Sequence, residues 1–130
     1  MPGKILVIED NDRNRKLVKI LLEANKYEVI EAQTGEEALK YLQDDKPDLI
    51  LLDIQLPNMD GLTLARMLRA DQKMKGIPII AVTAYAMKGD KERMLESGCD
   101  AYVSKPIDTR ELPVIVANLL ERKAQRNSDE

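Results

Sequence analysis

The sequence predicts an α/β fold: a doubly wound parallel sheet covered on both faces by helices. Three observations carry that expectation. Leu49-Ile50-Leu51-Leu52 and Ile79-Ile80-Ala81-Val82 are unbroken apolar runs bounded by polar or turn residues, as short strands buried on both faces are. Five strand-like segments alternate with five stretches of helical periodicity, which is the pattern of βα units joined by right-handed crossovers. The 130 residues fit one domain and suffice to bury a core.

Lys4-Ile5-Leu6-Val7-Ile8 is a β-branched run that forms the first strand and ends at Glu9-Asp10. Asn11-Asp12 offers turn and cap chemistry before a helix of about fourteen residues. Leu17, Leu21 and Ala24, with Val18 and Leu22 beside them, form its apolar stripe. The run 28–32 is half polar, as an edge strand is. A second helix over 35–42 carries Ala38, Leu39 and Leu42 on one face, and Pro47 punctuates before the central strand, which Asp53 closes. After it, Leu56-Pro57-Asn58-Met59-Asp60-Gly61 is rich in turn formers. Asp60 is the expected N-cap of a helix with Leu62, Leu64, Ala65 and Leu68. Gly76 and Pro78 bracket the entry to the fourth strand, which ends at Thr83. A short helix over 90–97 closes on Gly98 as a left-handed cap. Ala101-Tyr102-Val103-Ser104 is the last strand, followed by Lys105-Pro106. Asp108 and Glu111 resemble a capping box, and Pro113, read as just past the first turn, marks a late or bent start of the final helix. The polar residues 124–130 are expected to fray.

Composition removes several function classes. The formal charge of −3 supplies no basic field for nucleic acid. No apolar run approaches the ~20 residues that span a bilayer, and Ile5 to Ile8 is too short for the core of a signal peptide. The single Cys99 excludes an internal disulfide framework, fits a reducing cytoplasm and reads as a small buried hydrophobe. With no histidine in the chain, a Ser-His-Asp or Cys-His centre and a His-ligated zinc site are excluded.

The strand ends carry the chemistry. Glu9-Asp10, Asp53, Thr83 and Lys105 follow strands one, three, four and five, and in a doubly wound sheet those ends share one edge, where ligands gather. Singly, each has an ordinary structural reading: a loop cap, a strand-terminating Asp, a hydroxyl bonded to its own backbone, a surface charge. Their coincidence at matching strand ends points to one site. Three crowded carboxylates favour a hard divalent cation, and oxygen ligands without His or Cys point to Mg²⁺. A lysine and a hydroxyl beside the cation suit a small anion such as a phosphoryl group, with one carboxylate as a nucleophile that forms an acyl phosphate.

Glu9-Asp10-Asn11, the segment 53–61, Thr83-Ala84 and Ala101-Tyr102-Val103-Ser104-Lys105-Pro106 resemble the CheY-like receiver domain of two-component response regulators. The resemblance runs from Lys4 to about Lys123, giving a receiver unit over 1–123 with a polar tail and no output domain. Within the family the chain is most similar to stand-alone regulators of the DivK type. The resemblance implies a flavodoxin-like three-layer sandwich with strand order 2-1-3-4-5. It implies that Asp53 accepts a phosphoryl group from a phosphohistidine on a partner histidine kinase or phosphotransfer protein. Asp10, Asp53 and the backbone carbonyl of Gln55 would hold Mg²⁺ directly and Glu9 through water, with Glu9 standing where the family often has Asp. Lys105 and Thr83 would bind phosphoryl oxygens, and Tyr102 matches an aromatic that rotates inward as Thr83 moves. The Lys105–Pro106 bond is expected to be cis. Output would pass through the fourth helix, fifth strand and fifth helix, with Tyr85, Met87, Tyr102 and Pro106 on the partner face and 85–89 as a moving loop. Gln55 and Tyr85 occupy positions that tune phosphoryl lifetime in the family. The expected protein is a cytoplasmic switch rather than a conventional enzyme, monomeric, with dimerisation on phosphorylation as an option. A relay shuttle that passes the group to a downstream histidine needs the same residues. A Mg²⁺-dependent phosphohydrolase with an aspartyl nucleophile is a third reading, which Asp53 after the third strand suits poorly. A flavodoxin-type nucleotide binder is weaker still, because no Gly-rich loop follows strand one.

Overall fold

The computed structural model describes residues 3–56, 60–84 and 88–129. Five strands, β1 (Lys4–Ile8), β2 (Glu28–Ala32), β3 (Leu49–Asp53), β4 (Ile79–Thr83) and β5 (Ala101–Ser104), form one parallel sheet in the order β2-β1-β3-β4-β5. Helices α1 (Asp12–Ala24), α2 (Gly35–Asp44), α3 (Gly61–Ala70), α4 (Lys88–Glu96) and α5 (Glu111–Asp129) fill the connections.

Strand alternation sorts the core into two layers, because successive side chains leave opposite faces of a strand. Leu6, Ile8, Ile50, Leu52, Ile79 and Ala81 pack with residues of α2, α3 and α4. Ile5, Val7, Leu49, Leu51, Ile80 and Val82 pack with residues of α1 and α5. The two unbroken apolar runs of the sequence therefore feed both layers at once. From β1 the chain moves out to β2 and returns to lay β3 on the other side of β1. That reversal opens a crevice at the carboxyl ends of β1 and β3.

Local chemistry ends the helices where the sequence suggests. The Asn11 side chain accepts the Asn14 N–H at 3.0 Å, and Asp60 accepts the Leu62 N–H at 3.2 Å. At α2 the structure adds two cap bonds that sequence reading passed over. Thr34 accepts from the Glu37 N–H at 3.1 Å, and the Glu37 carboxylate accepts from the Gln33 N–H. Gly98 has φ +102°, the left-handed conformation expected of it. A Cβ there would meet the Arg69 side chain. The Arg69 guanidinium donates to the carbonyls of Gly98, Lys75 and Ile77 and pairs with Asp100, tying the end of α3 to both sides of β4. Cys99 is buried, and burial pushes its thiol up to about 11, so it packs as a small hydrophobe.

Four expectations change. The core face of α1 is Val18 and Leu22, while Leu17 is 42% exposed and Ala24 lies at the surface. Helix α4 starts at Lys88, so Lys88 and Gly89 belong to a helix rather than to a loop. Tyr85 and Met87 lie outside the described residues. Helix α5 begins at Glu111, with Asp108 accepting the Arg110 and Glu111 N–H groups. Pro113 therefore sits inside the first turn, where its missing N–H costs nothing, and the helix starts unbroken. The backbone stays helical to Asp129 rather than fraying after Lys123, in keeping with the strong helix formers Arg122, Lys123, Ala124, Gln125 and Arg126.

Candidate functional site

Asp53 is the last residue of β3 and is 2% exposed. One carboxylate oxygen accepts the Gln55 N–H at 2.9 Å, and the other accepts from the Lys105 ammonium at 2.9 Å. The same ammonium lies 3.3 Å from Glu9 Oε1. Lys105 reaches this position because its own N–H donates to the Thr83 carbonyl at 2.8 Å, which fixes the start of its stem at the end of β4. Thr83, 1% exposed, ends β4 one step beyond Val82, the register partner of Asp53. Glu9 follows β1 and stays anchored to the sheet through its N–H to the Ala32 carbonyl at 3.0 Å. Ligand atoms of Glu9, Asp10 and Asp53 all lie within 4.8 Å of one another. The geometry thus gathers Glu9, Asp10, Asp53, Thr83 and Lys105 at one sheet edge, as their strand-end positions predict.

The charges at this edge are unequal. Burial raises the Glu9 carboxyl, and the adjacent Asp53 carboxylate raises it further, against the pull of Lys105, to about 7. Burial also works to raise Asp53, but bonds from Glu9, the Gln55 N–H and Lys105 outweigh it and hold Asp53 below the ordinary carboxylate range. Lys105 stays charged: burial lowers it, and the bond to Asp53 and the Glu9 charge more than restore it. The proton this pair can hold therefore resides on Glu9, leaving Asp53 ionised as a nucleophile requires.

Those directions predict a pH dependence for the metal-free protein. The folded pKa of Glu9 lies above its ordinary 4.5, so its contribution to stability is fully present below pH ~4.5 and is lost as pH rises through about 7. Asp53 acts oppositely: its contribution holds above its ordinary value of 3.8 and is lost as pH falls through its lower folded value. Urea unfolding in excess chelator is expected to give a lower midpoint at pH 8 than at pH 5.5. Glu9→Gln should flatten that difference, and an unchanged slope in the variant would assign the dependence elsewhere.

Glu9 Oε2 is fully buried and has no hydrogen-bond partner. An orphaned carboxylate oxygen beside two further carboxylates is a donor set made for a hard cation, so the residues present fit Mg²⁺. One half-buried ammonium among three carboxylates leaves the site short of positive charge, which a divalent ion supplies.

Gln55 plays a second part that sequence reading missed, since its side-chain oxygen accepts the Ala84 N–H at 3.2 Å. Arg15 was also missed. Its guanidinium donates to the Glu9 carbonyl at 3.0 Å and pairs with Asp12 at 2.6 Å and Glu31 at 3.3 Å, so it fastens the loop that carries Glu9 and Asp10. Only the Asp12–Arg15 spacing of one helical turn was visible beforehand. Tyr102 is partly buried and packs against the α2–α3–α4 layer. Pro106 is exposed, and its bond to Lys105 is cis, as expected.

Residues 5–117 match the family model described as the response regulator receiver domain. The chain belongs to this family. The polar-differentiation response regulator DivK of Brucella anthropi is 50% identical over 107 residues, 82% of this chain and 87% of that protein. DivK of Brucella melitensis agrees to the same extent. Among solved structures, a CheY-like receiver domain protein from Methanospirillum hungatei superposes with a TM-score of 0.89 at 30% identity, over 97% of this chain and 99% of that one. The receiver domain of a sensor histidine kinase from Pseudomonas aeruginosa, with a magnesium ion coordinated in its active-site cleft, gives 0.85 at 33% identity, over 93% and 99%. This receiver domain is thus DivK-like in sequence and CheY-like in fold, and its acidic cluster is of the kind that holds Mg²⁺ in the family. Among the described residues, no helix is long and apolar enough to cross a membrane.

Proposed function

We propose that the chain is a response-regulator receiver unit, over 1–123, that takes a phosphoryl group onto Asp53. The observation that carries this reading is the pairing of a buried, ionised Asp53 with the Lys105 ammonium at 2.9 Å, beside the orphaned oxygen of Glu9. Asp53 attacks the phosphorus of a phosphohistidine on a partner kinase or phosphotransfer protein. A P–O bond forms, the P–N bond breaks, and its electron pair stays on the donor ring nitrogen, which leaves as neutral imidazole because the other ring nitrogen already carries a proton. Asp10, Asp53 and the Gln55 carbonyl would hold Mg²⁺ directly, and Glu9 would hold it through water. When bound, the cation neutralises charge that builds on the transferring group.

Transfer places about two negative charges at the edge of the sheet. Lys105 then bonds a phosphoryl oxygen, and the Thr83 hydroxyl donates to another. Thr83 and Tyr102 carry the change to the α4–β5–α5 face, where Pro106 is exposed and a protein target docks. On this reading the protein is a cytoplasmic switch, monomeric before phosphorylation.

Incubation with acetyl phosphate and Mg²⁺ is expected to add one phosphoryl group to the intact mass, and chelator should abolish the gain. No gain in the presence of Mg²⁺, together with no binding of beryllofluoride, would sink the reading.

A further inference from the structure

The β3–β4 ladder stops one donor short. Its last bond runs from the Ile54 N–H to the Val82 carbonyl at 3.1 Å. In an unbroken parallel ladder the next would run from the Ala84 N–H back to the Ile54 carbonyl. That carbonyl is taken instead by the Gly61 N–H at 3.2 Å. The Ala84 N–H is left facing β3 beside Asp53, and the Gln55 side-chain oxygen catches it at 3.2 Å. Gln55 lies two residues beyond Asp53, and Ala84 two beyond Val82, its register partner. The side chain therefore folds back across the mouth of the site.

We propose that the Gln55 side-chain carbonyl is a placeholder acceptor. It holds the Ala84 N–H in the unphosphorylated protein and gives it up to a phosphoryl oxygen on Asp53. The inference rests on the phosphoacceptor reading and deepens it. An N–H bonded to an anionic oxygen is roughly twice as strong as one bonded to a neutral carbonyl, so the exchange runs toward the phosphorylated form. Until then the Gln55 bond must be broken before the phosphoryl group gains its donor. Gln55 thereby sets how readily the phosphorylated state is reached and leaves its side chain free at the mouth afterwards. The exchange moves a hydrogen bond only; no covalent bond changes.

Gln55→Met keeps length and bulk but removes the acceptor. In ¹⁵N-labelled protein at saturating Mg²⁺, the Ala84 amide proton of this variant should move upfield and exchange faster than in the wild type. Beryllofluoride, which mimics the phosphoryl group on a carboxylate, should then bind the variant about two- to tenfold more tightly, the worth of one modest hydrogen bond. Gln55→Glu, which retains an acceptor, should keep the Ala84 amide downfield and bind beryllofluoride more weakly than the wild type. An Ala84 amide unmoved by Gln55→Met, or equal or weaker beryllofluoride binding in that variant, would overturn the placeholder role. Failure of the wild type itself to bind beryllofluoride would overturn the phosphoacceptor reading beneath it.

Discussion

Asp53→Asn is expected to lower phosphoryl incorporation from acetyl phosphate by roughly three orders of magnitude or more, while leaving the fold intact. The amide oxygen is nearly isosteric with the carboxylate oxygen and can still accept the Gln55 N–H found at 2.9 Å. It lacks the charge and the lone-pair basicity that make a carboxylate attack phosphorus. The substitution also removes one charge from a group of three carboxylates whose ligand atoms lie within 4.8 Å. Relief of the repulsion on Glu9, whose carboxyl burial and Asp53 together raise to about 7, offsets the lost Asp53–Lys105 ion pair, so the metal-free variant should unfold at a urea midpoint close to that of the wild type at pH 8. Intact mass after acetyl phosphate and Mg²⁺, read beside that midpoint, separates lost chemistry from lost structure. Undiminished incorporation in a folded variant would move the phosphoacceptor to another carboxylate.

The site was legible because its residues follow strands whose apolar runs are short, unbroken and easily bounded. Leu49 to Leu52 and Ile79 to Val82 feed both core layers, so no alternation was needed to find their ends, and the topology of a doubly wound sheet did the gathering. The face of α1 was harder. Leu17, Val18, Ile20, Leu21 and Leu22 cover more than half of a helix circumference. Only packing decides that Val18 and Leu22 are buried while Leu17 and Ile20 remain 42% and 57% exposed. The Arg15 clamp and the Gln55–Ala84 bond join residues that no spacing rule connects. Both depend on how the loops at the sheet edge fold back, which is tertiary information.

Gly61→Ala is expected to destabilise the protein by about 2–3 kcal/mol, at the upper end of what overpacking costs. Gly61 opens α3 and lies against the start of the loop after β3. A Cβ there would stand 2.4 Å from the Ile54 Cα and 2.8 Å from the Asp53 carbonyl oxygen, both backbone atoms that cannot swing away. Helix propensity argues the other way, since Ala for Gly inside a helix ordinarily gains up to ~1 kcal/mol, and no left-handed φ is recorded at this glycine. The sign of the measured change therefore decides between local propensity and close approach. Relief requires Ile54 and the Asp53 carbonyl to shift, which breaks the Gly61–Ile54 bond of 3.2 Å and disturbs the Gln55 N–H that steadies Asp53. Slower phosphoryl incorporation should accompany the lower urea midpoint, even though the substituted residue carries no functional group. A variant as stable as the wild type would show that α3 and the end of β3 do not touch at this distance, and the placement of Asp53 would then need another support.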